Sequence, residues 1–192
     1  MVQRYTRTAI WLHWIVAALV VANVALAWTW NSLPDAQVRP AINLHKSFGI
    51  TVLGLAILRL LWRYTHPAPP LPSGYKRWER VTSHSVHWLL YLAIFAMPLT
   101  GWIMDSAWKN AAGNPLDLYG VIPWFRIPGI TDLDPATKEA VHGAFGAAHA
   151  LIGFAVYLLV FLHIAGALKH QLIDRTPELQ RMGWPGRRNE LR

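Results

Sequence analysis

The 192-residue chain contains no cysteine. That absence excludes a disulfide scaffold, a thiolate zinc site, a cysteine-held iron–sulfur cluster and covalently attached c-type haem. Charge is also scarce, at 15% of residues, where an average soluble domain carries roughly a quarter. Disorder is excluded too, because it needs low hydrophobicity and 54% of this chain is hydrophobic. Acidic residues are the scarcest charges: ten against 18 Lys and Arg, for a net +8. In a soluble protein that balance would point to nucleic acid. Here long apolar runs dominate, so the charge is read as membrane topology and no nucleic-acid partner is expected. What the chain has in excess is tryptophan, with 11, and histidine, with nine.

Four apolar segments are long enough to span a bilayer, which takes about 20 residues. They run roughly over 9–30, 42–64, 81–104 and 140–168. A soluble bundle would show one apolar stripe per helix, yet "IVAALVVANVALAW" and "LIGFAVYLLVFL" carry no charge on any face. Pro34, Asp35 and Pro40 are expected to break the chain between the first two spans, and "THPAPPLPSGYK" between the next two. The third connection, 105–139, is the longest and is expected to act as a functional loop or lid. The reading is an all-α, four-helix integral membrane bundle forming one domain over 1–192. Arg4, Arg7 and the "ALA" at 25–27 imitate a cleavable signal peptide. Trp11, His13 and Trp14 inside the apolar stretch argue for a retained span instead.

Orientation follows from the cations near the spans. Arg4, Arg7, Arg59, Arg63, Lys76, Arg77, Arg80, Lys169, Arg175, Arg181, Arg187, Arg188 and Arg192 fall on one side, thirteen of the 18. Arg39, Lys46, Lys109, Arg126 and Lys138 fall on the other. Both termini are therefore expected in the cytoplasm, with the basic side against anionic membrane lipid. Trp11, Trp14, Trp62 and Trp88 would anchor the inner interface, and Trp28, Trp30, Trp102 and Trp108 the outer one.

An ionisable side chain inside a span is costly and marks function by default. His142, His149, His163 and His170 follow one another at 7, 14 and 7 residues, spacings that return to one helix face. His149 and His163 would lie about 21 Å apart along the axis, one toward each leaflet. His142 and His170 sit further out, where propionates, substrate or headgroups are the expected contacts. Matching depths pair His13 with His163 on the inner side and His45 with His149 on the outer side. Two axial imidazoles suit a low-spin haem built for electron transfer. His84 or His87 on the third span could displace His13, and His87 otherwise suits a haem propionate or a supporting role. Gly49, Gly146, Gly153 and Gly166 beside these positions admit either a flat macrocycle or ordinary close helix packing.

The residues also carry a family likeness. "RYTRTAIWLHW", "RPAINLHKSFGI", "HPAPPLP", "SHSVHWLLYLAIFAMPLTG" and "AHALIGFAVYLLVFLHIAGALKHQLIDRTPELQRM" resemble the bacterial cytochrome b561 family over nearly the whole chain. The resemblance implies two stacked b-type haems with axial ligands at His13, His45, His149 and His163. It also implies ubiquinone as a membrane partner, a bacterial inner-membrane location and, in one branch, periplasmic oxidation of superoxide.

The function expected is an oxidoreductase passing electrons from a periplasmic donor, superoxide in the first instance, through two haem b groups to ubiquinone. Lys46, adjacent to His45, and Arg126 in "PWFRIP" are the candidates for drawing a small anion to the outer haem, with Arg39 nearby. His170 is the candidate quinone contact at the cytoplasmic interface, with Lys169 or Arg77 in support. Two alternatives remain open. One is an anchor subunit serving a partner dehydrogenase or hydrogenase; the other is a histidine-lined metal or proton transporter. A transporter would gather its ligands at one depth with carboxylates, and no Asp or Glu lies mid-span here.

Overall fold

The computed structural model describes residues 3–72 and 74–185. Arg187, Arg188 and Arg192, counted above in the tail's charge, lie outside the described residues. Four long helices, α1 (Arg7–Thr29), α2 (Asp35–Thr65), α3 (Arg77–Ser106) and α4 (Pro135–Leu168), carry the chain. Each is long and apolar enough to cross a membrane. Large apolar side chains such as Leu151, Phe154, Leu158 and Phe161 on α4 are exposed, as befits a face solvated by lipid.

The helices start where local chemistry satisfies their free N–H groups. Thr6 accepts from Ala9 N at the start of α1. Asp134 accepts from Ala136 N and Thr137 N at the start of α4, with Pro135 in the first turn. Glu79 accepts from Lys76 N at the start of α3. Pro40, expected to break the chain, lies inside α2, which begins at Asp35 after Pro34. It sits so near the start that its missing N–H forfeits at most one intrahelical bond. Pro98 is likewise accommodated within α3.

Close backbone packing joins α1 to α2, α2 to α3 and α3 to α4, but α4 has no comparable packing against α1 or α2. A slot therefore runs along the bundle between α4 and the α1–α2 pair. The long third connection holds a hairpin rather than bare loop: β1 (Leu116–Leu118) pairs antiparallel with β2 (Ile122–Trp124). Tyr119 and Gly120 turn it at φ 56° and 70°. The non-glycine at the first of these is held by Ser47 Oγ, which accepts from Tyr119 N at 2.9 Å, and by Thr51, 2.6 Å from the tyrosine hydroxyl. At the opposite end a π-helical turn, Lys169–Ile173, extends α4 into a short α5 (Glu178–Arg181).

Candidate functional site

Two histidine couples bridge the slot. His45 on α2 and His149 on α4 have ring centroids 6.2 Å apart. The Nδ1 of His45 lies 3.2 Å from the Asn23 carbonyl, and that of His149 3.0 Å from the Met97 carbonyl and 3.2 Å from Thr100 Oγ1. A carbonyl only accepts, so Nδ1 carries the proton in both rings and Nε2 keeps a free lone pair, as metal-ligating imidazoles require. Gly101 makes room for this on α3: a Cβ there would meet His149 Cε1 at 3.2 Å and Nδ1 at 3.3 Å.

The second couple is His13 on α1 and His163 on α4, with centroids 6.0 Å apart. An imidazole nitrogen sits about 2 Å from a first-row metal, and the ring centre about 1 Å further, so rings on opposite sides of one ion have centroids about 6 Å apart. Both couples meet that distance, and both lie where α4 has no close backbone packing against α1 or α2. The residues present fit two bis-histidine haems. His87 approaches His163 more closely, at 5.2 Å and edge-on, with its Nδ1 2.6 Å from the Ser83 carbonyl. That distance is short for a shared metal and suits a ring packed beside a ligand.

The remaining histidines have other partners. His142 Nδ1 donates to the Met104 carbonyl at 2.9 Å, one of the last carbonyls of α3, which lack intrahelical donors. His142 thus caps a helix end through Nδ1. His66 stacks on Trp62 at the surface. His170 stacks on Tyr75 with centroids 4.0 Å apart and donates from Nδ1 to Asp174 at 2.6 Å. Lys169 pairs with both Glu79 and Asp174. The hydrogen bond from Lys169 holds the Asp174 carboxyl below the usual carboxylate range, and the one from His170 adds to it. This cluster sits on the π-helical turn, a distortion common at functional sites. The segment that follows is tied back to the bundle: Arg181 donates to the Pro69 and Pro70 carbonyls, and Trp14 Nε1 to the Met182 carbonyl.

At the outer mouth, Lys46 and Arg126 share one carboxylate. Asp105 lies 2.5 Å from Lys46 Nζ and 3.0 Å from Arg126 Nε. The other two Arg126 nitrogens donate to the Ala111 and Asn114 carbonyls at 3.0 and 2.7 Å. Both cations are largely covered, and their shared carboxylate offsets one of their two charges. Arg39, exposed and stacked over Trp108 at 4.7 Å, has no carboxylate partner among the described residues. Asn23, Met97, Thr100 and Gly101 were not marked by histidine spacing. A glycine within the apolar run of α3 is the one signal that could have drawn attention to them.

Comparison with known proteins agrees with this geometry. A family model described as prokaryotic cytochrome b561 matches residues 4–185. The chain is 33% identical over 183 residues to cytochrome b561 homolog 2 of Escherichia coli K12, covering 94% of this chain and 91% of that protein. It is 27% identical over 184 residues to the probable superoxide oxidase CybB of Yersinia pestis, covering 94% and 96%. It is 28% identical over 189 residues to cytochrome b562 of Cereibacter sphaeroides, again covering 94% and 96%. The chain belongs to the prokaryotic cytochrome b561 family, membrane-embedded haem b proteins that transfer electrons.

Proposed function

We propose that the chain is a di-haem cytochrome b that takes electrons from superoxide on the periplasmic side of a bacterial inner membrane and delivers them to ubiquinone. The observation that carries this reading is the pair of histidine couples, 6.0 and 6.2 Å across, set fourteen residues apart on α4 along one slot. His13 and His163 would hold the inner haem, and His45 and His149 the outer one. Haem b, when bound, supplies reversible one-electron transfer. Two superoxide anions each lose one electron and leave as oxygen, and one ubiquinone takes two electrons and two protons to become the quinol.

The protein sets access, charge and protons. Lys46 and Arg126 act at the mouth by fastening the hairpin connection through Asp105, which narrows access to small donors. Arg39 remains as the exposed cation to draw an anion. The name of the Yersinia pestis relative supports superoxide as that anion. At the inner end, His170 is the quinone contact. Its Nδ1–H is committed to Asp174, which leaves Nε2 to exchange a proton with a quinone oxygen. The thirteen cations on one side support a cytoplasmic position for both termini.

The test begins with the absorption spectrum of the purified protein, with and without dithionite, and a pyridine haemochrome assay. Two non-covalent haems per chain are expected, and one haem or a covalent adduct would overturn the two-level reading. Superoxide should reduce the oxidised protein rapidly, and His170→Ala should slow quinone reduction with both haems retained. Slow reduction by superoxide, together with rapid reduction by a large co-purifying subunit, would assign the anchor role instead. An alkaline phosphatase fused to the C-terminus should be inactive; activity would invert the orientation.

A further inference from the structure

The inner half of the slot contains an arginine, Arg59, with no carboxylate partner among the described residues. On α2, His45 is followed fourteen residues later by Arg59, the interval that separates the two ligands on α4. That interval returns to nearly the same helix face about 21 Å further along the axis. Buried Val52 and Ala56 between them mark this face as the interior one. Arg59 therefore stands at the level of the His13–His163 couple. Nε donates to Tyr91 Oη at 3.1 Å, and the guanidinium lies 5.7 Å from the Tyr91 ring centre. Among the described residues its two terminal nitrogens have no hydrogen-bond acceptor, and no carboxylate pairs with Arg59 or with Arg63 one turn inward.

A cation inside a span needs a compensating anion. The outer level differs: there Lys46 and Arg126 have a protein carboxylate, Asp105, which offsets one of their two charges. Haem b brings two carboxylates of its own, and a nearby positive charge favours the state with one more electron. Resting on the two-haem reading above, we propose that Arg59 is the counter-charge of the inner haem, taking one of its carboxylates and holding its reduction potential above that of the outer haem. Arg59 is thus a positioning residue that gives electron flow its inward direction, and Tyr91 orients it.

Spectroelectrochemical titration of the holoprotein tests this, with the inner haem's bands assigned from a His163→Ala variant that keeps the outer haem. In the unaltered protein the inner haem should titrate above the outer one. Arg59→Gln should lower the inner potential enough to shift the electron distribution between the haems at least tenfold, 59 mV for one electron, and leave the outer unmoved. Arg59→Lys, which keeps the charge, should retain most of the difference. Loss of the inner haem alone in Arg59→Gln, restored in Arg59→Lys, would equally support the assignment. Two haems whose potentials ignore Arg59→Gln, or an inner haem below the outer in the unaltered protein, would overturn this inference alone. A single haem per chain would overturn the two-level reading as well.

Discussion

Each imidazole of the outer couple is pinned by its Nδ1, a task that falls to α3 and α1. Met97 and Asn23 offer carbonyls to His149 and His45, and Gly101 keeps α3 close enough to reach. The His149 ring is tied to both Met97 and Thr100, so it has little room to retreat from a new methyl group. Gly101→Ala should therefore lower occupancy of the outer haem about 10–100-fold, the range for losing a ligand-orienting group, with the inner haem retained. His142→Ala should keep both haems, because only the Met104 carbonyl loses a donor. Haem content by pyridine haemochrome decides each case. Loss of a haem in His142→Ala would mean that it, not His149, completes the outer level. The two histidine couples were legible in sequence because histidines recur at one helical period and at matched depths. Gly101 and Met97 were not, since a glycine or a backbone carbonyl carries no pattern of its own.

Among the elements, the hairpin connection departs most from its sequence reading. Its prolines and glycines indicated a lid, but short strands of three residues leave too few alternating positions to be recognised. The expected role of Arg126 changes with it. A cation in a loop reads as exposed charge, whereas tertiary contacts place this one on Asp105 and two backbone carbonyls. Arg126→Gln should therefore act first on stability. Asp105 would keep Lys46, so the cost is about 3 kcal/mol, at the low end for breaking a buried pair. Thermal loss of the haem Soret band should move to lower temperature, and protease cleavage within 107–130 should accelerate. An unchanged melting point with a weakened salt dependence of superoxide oxidation would return Arg126 to the steering role. The helices were legible by contrast, because spans of this length without charge leave few other folds. Their ends were missed by several residues, since Asp134 and Glu79 extend α4 and α3 beyond the apolar stretch.

Across the whole molecule, charge is distributed for orientation more than for attraction. The outer side holds Arg39, Lys46, Lys109, Arg126 and Lys138 against Asp35, Asp105, Asp117, Asp132, Asp134 and Glu139, so its net field is close to neutral. Lys46 and Arg126 are largely covered and share Asp105, which offsets one of their two charges. A superoxide anion approaching this face would feel only local cations, chiefly Arg39, which starts six residues before His45 on the same helix and is held over Trp108. Steering of this kind extends about one Debye length, near 8 Å at physiological salt. The rate of superoxide-driven haem reduction should therefore fall only modestly between low and physiological ionic strength. Arg39→Glu should lower it further and abolish or invert the salt effect, with haem content and melting point unchanged. Stopped-flow reduction of the oxidised protein at several salt concentrations reads all of this. A steep salt dependence that survives Arg39→Glu would place the steering charge elsewhere, with Lys109 the next exposed candidate.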